Sequence, residues 1–396
     1  MSTLTPHLKI DHDSALRHTD GLLKTIRHAH ENGKAKKADH FSCLFLNSLD
    51  AKYTAAVSAY RDLKKHRRPR DFCPSACAHA LDPWVGTNEP VLLRPKEKEN
   101  GCGELRHIMD FGIENRALQH LALSLLKTRA APHPNQYTMQ GTHAAIQRVR
   151  DHMLSGYKWA METDIKDCYP SFDGKKVPGL LPLPKRVTQM VLLSESMNVT
   201  LGNKSIFGPA GPEENNDLLF SDVLADARRG FPQGSATSPL TVEMLLAPIF
   251  AALPTSGAVV GYADNILIMG ETDSDVASMT LSLWSALKAH PAGHLRPKEP
   301  KPFYPGTPID FLGHRLRKAG NEVSIEPLPK NLAKFHKQFA ERSKRIASLP
   351  PKARHRDLKE LTRYVRSWTS MFKLWDGAAH LRKTKLQEVK KMGVGH

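Results

Sequence analysis

Two apolar runs, Ala258-Val-Val-Gly-Tyr262 and Ile266-Leu-Ile-Met269, are separated only by Ala263, Asp264 and Asn265, and that spacing admits little besides a tight β-hairpin. Asp and Asn both tolerate the left-handed backbone that such turns demand, so the pair reads as turn chemistry as readily as anything functional. A second apolar stretch, Trp159-Ala-Met161, reads as a strand with Asp164 projecting from its tip, where an aspartate alone is usually a cap or turn residue. Together the two carboxylates have a further meaning. Phosphoryl chemistry that uses a pair of divalent cations needs hard oxygen ligands converging from different strands. A strand-end Asp and a hairpin Asp on neighbouring strands provide them.

Between the two lies Phe231-Pro-Gln-Gly234, a turn, and then Ser238-Pro239-Leu240, which opens a helix with proline in its first turn and Leu240, Met244 and Leu245 on one face. A glycine at 234 lets the backbone approach a base pair closely, and Gln233 can hydrogen-bond nearby. Turns of this kind are also ordinary structural punctuation.

The chain has 396 residues, 57 Lys and Arg against 40 Asp and Glu, and a net charge of +17. Such a charge opposes compaction unless it is neutralised, so a polyanion, nucleic acid first, is the expected partner; a solubility feature is the plainer reading. The longest apolar run, Met244 to Leu253, is too short to span a bilayer, and the N-terminus lacks a basic and then apolar leader, so the expected location is cytoplasmic, without membrane contact. Five cysteines argue against a disulfide framework. Cys73 and Cys77, with His66 and His79 nearby, do not have the spacing of a zinc ribbon, and ordinary buried thiols are expected.

Residues 1–85 read as helical, with a long helix from Ser48 to Lys65 that runs into Lys64-Lys-His-Arg-Arg-Pro-Arg70, a solvated face or a nucleic-acid contact. A polar loop from Lys96 to Glu104 joins two strands, Val91–Leu93 and Leu105–Ile108; helices are expected over Asn115–Lys127 and after Met139-Gln140-Gly141. The stretch 202–216 reads as an exposed insertion. Beyond Pro327 two basic helices, Lys330–Leu349 and Lys352–Trp375, flank Pro350-Pro351.

Thr163 to Tyr169, Phe231 to Pro239 and Gly261 to Asn265, in this order, resemble motifs A, B and C of reverse transcriptases, and Phe231 to Pro239 is similar to the FPQG-x3-SP stretch of bacterial retroelement and group II intron enzymes. The resemblance covers about 270 residues. It implies an α+β fold, a right-hand polymerase with a helical N-terminal extension over 1–85, fingers and an antiparallel palm over 86–325, and a helical thumb over 326–396. By the same resemblance Asp164 and Asp264 hold two Mg2+ ions, for which Mn2+ can substitute. Arg106, Arg116, Gln233 and Gly234 serve the nucleotide, and Phe311-Leu312-Gly313 forms the primer grip. Lys298, with Lys301 as the alternative, protonates the leaving pyrophosphate. Tyr169 stands where the family has an aromatic gate against a 2′-hydroxyl, since a ring under the sugar leaves no space for an extra oxygen; core filling is its plainer role. Asn265 departs from the family's second Asp, leaves the site one carboxylate short, and retains an amide oxygen able to ligate.

The implied partners are an RNA template, a DNA or RNA primer and deoxynucleoside triphosphates. No residues remain past the thumb for an endonuclease, and the chain has no Val-Thr-Gly or Asn-Ala-x-x-His stretch of retron enzymes. It keeps the PQG string that diversity-generating enzymes usually replace. It therefore looks like an orphan bacterial enzyme, a group that includes anti-phage defence members working with a structured non-coding RNA. A non-catalytic RNA scaffold with a decayed site and a template-independent DNA polymerase stay open.

Overall fold

The computed structural model describes residues 10–97, 105–201 and 221–394. The expected insertion at 202–216 and most of the 96–104 loop lie outside these residues. The chain is mixed α+β, mainly helical, with ten strands among the described residues: β1 (Val91–Glu97), β2 (Leu105–Asp110), β3 (Trp159–Asp164), β4 (Val199–Leu201), β5 (Ala258–Tyr262), β6 (Asn265–Gly270), β7 (Lys301–Phe303), β8 (Ile309–Phe311), β9 (His314–Ala319) and β10 (Glu322–Pro327). They form three sheets, ordered β2-β1-β4, β10-β9-β8 and β5-β6-β3-β7. The polypeptide divides into two compact units, each assembled from separated segments. One comprises Met1–His133, Ile165–Ala252 and Trp284–Pro297; the other comprises Pro134–Asp164, Leu253–Leu283 and Lys298–His396.

The first unit holds helices His12–Glu31, Ala35–Asn47, Leu49–Asp62 and Pro74–Ala80, together with Ile113–Arg129. In the last of these, Leu118, Leu121, Ala122, Leu125 and Leu126 are buried at the i, i+3, i+4, i+7, i+8 spacing of a single helical face. Asp11 and Ser48 cap their helices by accepting from the amides of Ser14 and Ala51. The helix expected to reach Lys65 stops at Asp62, because Leu63 turns extended and the Arg68 guanidinium donates to the carbonyls of Leu63 and Arg61. Part of the basic run is therefore a helix cap. β1 pairs antiparallel with β2 and parallel with β4 over a core of Val91, Leu93, Met109, Phe111, Met197 and Val199.

In the second unit, side-chain alternation sends Ala160, Val260, Leu267, Met269 and Phe303 to one face of the four-stranded sheet. There they join Ile146, Val149 and Met153 of helix Thr142–Leu154 and Phe311, Leu316 and Ile325 of the β8-β9-β10 sheet in one core. The basic C-terminus forms helices Pro329–Ala347 and Pro351–Met371, each with proline in its first turn, and a third, Gly377–Val394, beyond the two expected. Their interior is aromatic: Phe335 stacks on Trp368 at 4.4 Å, and Trp368 meets Phe372 at 4.6 Å. Among the described residues no helix is long and apolar enough to cross a membrane.

Candidate active site

The hairpin and the strand end meet as adjacent strands. β3 lies antiparallel to β6 with Asp164 opposite Asn265, and β6 lies antiparallel to β5 with Asn265 opposite Tyr262. Directly opposed residues share a face, so Asp164, Asn265 and Tyr262 form a row at one end of the sheet, with Asp264 in the two-residue turn beside them. The left-handed residue of this turn is Ala263, at φ 53, and neither Asp264 nor Asn265 adopts a positive φ. An alanine there costs about 1–2 kcal/mol. The Ala263 amide donates to Thr138 Oγ1 at 2.7 Å and helps to hold that conformation. A left-handed backbone therefore does not account for the Asp-Asn pair.

Asn265 turns its amide nitrogen toward Asp264, with Nδ2 3.2 Å from Asp264 Oδ1 and 3.5 Å from the Tyr262 carbonyl. Of the amide's two polar groups only the N–H can donate, so Asn265 supports Asp264 as a neutral donor where a second carboxylate would repel it. Asp164 is held differently. Its Oδ2 accepts from Lys298 Nζ at 2.6 Å, its carbonyl accepts from the Lys298 amide at 2.7 Å, and Thr163 Oγ1 donates to the Lys298 carbonyl at 3.0 Å. Lys298 is thus fastened to the end of β3. Lys301 sits elsewhere, 3.9 Å from both Glu162 and Asp310 and over the Phe303 ring.

Asp164 Oδ1 is buried with no hydrogen-bond partner. An orphaned carboxylate oxygen at depth is costly and is the donor a hard cation takes, so this end of the sheet fits a divalent metal. Among the described residues no group of three or more His, Cys, Asp and Glu stands where it could hold a metal ion. Two residues back on the same face, Glu162 is pushed above the usual carboxylate range by burial; Lys301 opposes this, and the Asp164 and Asp310 charges add to it.

The Phe311-Leu312-Gly313 stretch is the turn between β8 and β9, with Phe311 opposite His314. Leu312 and Gly313 have φ 46 and 81, so both central residues are left-handed, a hairpin geometry that usually selects Asn-Gly. Packing of Leu312 on the sheet core and bonds to the Gly313 carbonyl from the Leu328 amide and Asn331 Nδ2 hold it. His314, fully buried, sits at 3.0 Å from the Leu312 carbonyl through Nδ1, and burial pulls its pKa down.

Tyr169, Gln233, Gly234, Arg106 and Arg116 belong to the first unit. Tyr169 lies on the one-turn helix Cys168–Ser171, and its carbonyl accepts from the Phe231 amide at 3.0 Å, which ties the first motif to the second. A β-carbon on Gly230 would stand 2.1 Å from that carbonyl. The Gln233 carbonyl accepts from the Met109 amide at 2.8 Å, and a β-carbon on Gly234, at φ 108, would stand 2.7 Å from the Met109 carbonyl. The close approach that requires glycine here is made by strand β2 of the same chain. Arg106 lies on β2 opposite Lys96. Arg116 donates through Nε to the Phe111 carbonyl and lies 3.7 Å from Asp110, which also pairs with Arg67 at 2.7 Å and Arg94 at 2.9 Å. Sequence reasoning missed Asp110 as the hub of this arginine cluster, because the arginines come from positions far apart in the chain and no local pattern marks the acid. The thiols differ from expectation: Cys168 is buried, but Cys73 is exposed and Cys77 only partly covered, its thiol pushed up to about 12 by burial and the nearby Glu114 and Glu89.

No family model and no curated protein matches the chain. Among solved structures, the apo telomerase of Candida tropicalis is similar at TM-score 0.44 and 11% identity, over 78% of this chain and 59% of that one. The same telomerase truncated from its C-terminal domain gives 0.37 and 11% over 61% and 56%. The Candida albicans telomerase in complex with a TWJ fragment of telomeric RNA gives 0.37 and 12% over 77% and 64%. The chain spans less than two thirds of the length of these telomerase chains.

Proposed function

We propose that this chain is an RNA-directed DNA polymerase of the retroelement type, a right hand in which residues 86–325 form fingers and palm and 326–396 the thumb. The observation that carries the reading is the sheet end where Asp164, with its orphaned Oδ1, lies beside the Asp264 hairpin on the neighbouring strand. Asp164 and Asp264 are the residues that would hold Mg2+ or Mn2+. When bound, the ions supply Lewis acidity toward a primer hydroxyl and a triphosphate. Asn265 orients Asp264 through its amide. Lys298, in contact with Asp164, holds a proton at Nζ for the departing pyrophosphate. Tyr169 excludes the 2′-hydroxyl by volume. The +17 charge favours an RNA template and its primer. Work with a structured non-coding RNA in anti-phage defence is the biological setting that suits an orphan enzyme of this kind.

Primer extension with an RNA template, deoxynucleotides and Mg2+ or Mn2+ tests this. Wild type should extend, while Asp164→Ala and Asp264→Ala should lose extension and keep RNA affinity, because dispersed Lys and Arg supply that affinity. Equal yield from all three proteins refutes the site. RNA binding without extension by wild type would make the chain a scaffold, and extension without template would make it a template-independent polymerase.

A further inference from the structure

Thr138 lies outside the three motif stretches, just before helix Thr142–Leu154 and in the same compact unit as the Asp264 hairpin. The residues leading to it run along β5, the edge strand of the four-stranded sheet. The Gly261 amide donates to the Asn135 carbonyl at 2.8 Å and the Tyr137 amide donates to the Gly261 carbonyl at 2.8 Å, which leaves Gln136 in parallel register with Gly261. Tyr137 is anchored twice, by its side chain in the core and by its carbonyl, which accepts from the Gln140 and Gly141 amides at 3.0 and 2.7 Å. Thr138 is therefore held in a closed turn, and its Oγ1 is a fixed acceptor for the Ala263 amide at 2.7 Å.

Ala263 is where this acceptor matters. A positive φ at the first central residue of a two-residue hairpin turn, and not at the second, is the pattern of a II′ turn, whose first position ordinarily takes glycine. Glycine enters that region without steric cost, whereas alanine carries a β-carbon into it and needs a compensating contact. Strained residues of this kind persist only where their surroundings over-determine them. The bond to Thr138 is such a restraint, and the dihedrals it fixes are those that set the direction of the next residue, Asp264. Asn265 Nδ2 holds the carboxylate itself, at 3.2 Å from Oδ1. The geometry points to Thr138 as a positioning residue: its hydroxyl fixes the Tyr262–Ala263 peptide and so sets the placement of the Asp264 carboxylate at the end of the sheet. The inference rests on the proposed function, in which Asp264 holds a metal.

Four variants of the full chain test it: Thr138→Val, which keeps the branched shape and removes the acceptor, Thr138→Ser, Ala263→Gly, and the double variant Thr138→Val/Ala263→Gly. Each is measured for Mn2+ affinity, from the electron paramagnetic resonance signal of the free ion, for kcat and KM in primer extension, and for its urea midpoint. Thr138→Val should weaken Mn2+ binding and lower kcat by about tenfold each, the usual consequence of losing a support behind a ligand, with KM for the deoxynucleotide unchanged. Thr138→Ser should recover most of both. In the Ala263→Gly background the left-handed residue is unstrained, so adding Thr138→Val should cost about threefold or less. A lower urea midpoint with Mn2+ affinity and kcat as in wild type would leave Thr138 a merely structural role and overturn the inference. So would equal losses from Thr138→Val in the two backgrounds, or no recovery by Thr138→Ser. Mn2+ binding that depends on both Asp264 and Thr138 without primer extension would uphold Thr138 and refute the polymerase. Equal Mn2+ binding by wild type and Asp264→Ala would remove the metal site and this inference with it, whereas full activity of Thr138→Val beside an inactive Asp264→Ala would overturn Thr138 alone.

Discussion

Gly234→Ala separates two reasons for a glycine in the second motif. At φ 108 an L-residue is strained by about 1–2 kcal/mol. The added β-carbon would also stand 2.7 Å from the Met109 carbonyl and 3.3 Å from Ile108 Cγ2, so the turn and strand β2 must separate. That movement stretches the 2.8 Å bond from the Met109 amide to the Gln233 carbonyl, at a cost of about 1 kcal/mol. The stiffer unfolded chain returns about 0.4–1 kcal/mol. The net loss should be about 2 kcal/mol, roughly a thirtyfold fall in the folded-to-unfolded ratio. Urea unfolding followed by tryptophan fluorescence and circular dichroism should show a lower midpoint with an unchanged slope. A midpoint equal to wild type, combined with lost primer extension, would refute the internal argument and return the glycine to an approaching base pair.

Tyr169→Ala should raise ribonucleotide incorporation relative to deoxynucleotide incorporation, and an unchanged ratio would show that the ring is not the gate. Asn265→Asp replaces a neutral donor to Asp264 with a like charge, so it should raise activity at low Mg2+ and shrink any advantage of Mn2+; superimposable Mg2+ titrations would place residue 265 outside the metal's reach. His152 is lowered to about 4 by burial, with Arg148 adding and Asp151 opposing. The unfolded chain therefore binds a proton that the folded one refuses, and stability present above about pH 6.5 is lost as pH falls toward 4. His152→Phe should flatten this part of the stability curve, and an unchanged acid limb in thermal melts would count against the assignment.

The hairpin, the strand before Asp164 and the helix after Ser238 were legible because each carries its own period and punctuation. What the hairpin sequence could not disclose is which residue takes the left-handed conformation. Residue type favours Asp or Asn, but a bond from the Ala263 amide to Thr138, more than a hundred residues earlier in the chain, accompanies that conformation at alanine. Leu312 likewise occupies a position that propensity would deny it, because the core beside it accepts its side chain. The choice between Lys298 and Lys301 was open on spacing, and in the fold it is Lys298 whose amide and Nζ bond to the Asp164 carbonyl and carboxylate. The arginines around Asp110 come from positions 67, 94 and 116 and share no local pattern. Helix Gly377–Val394 escaped notice because its apolar residues are not gathered on one face as they are in the two helices before it.

The discontinuous make-up of the second unit bears on how the protein is born. β3 finds both of its neighbours, β6 and β7, downstream in the sequence, the nearer beginning at Asn265. At the ~5–20 residues per second of synthesis, the strand that ends in Asp164 waits on the order of 5–20 seconds after leaving the ribosome before a partner exists. During that interval its backbone donors and the apolar Trp159-Ala-Met161 run have no sheet to join. Yield in a cell should therefore respond to nascent-chain chaperones and to codon choice between residues 164 and 303 more than to the stability of the finished fold.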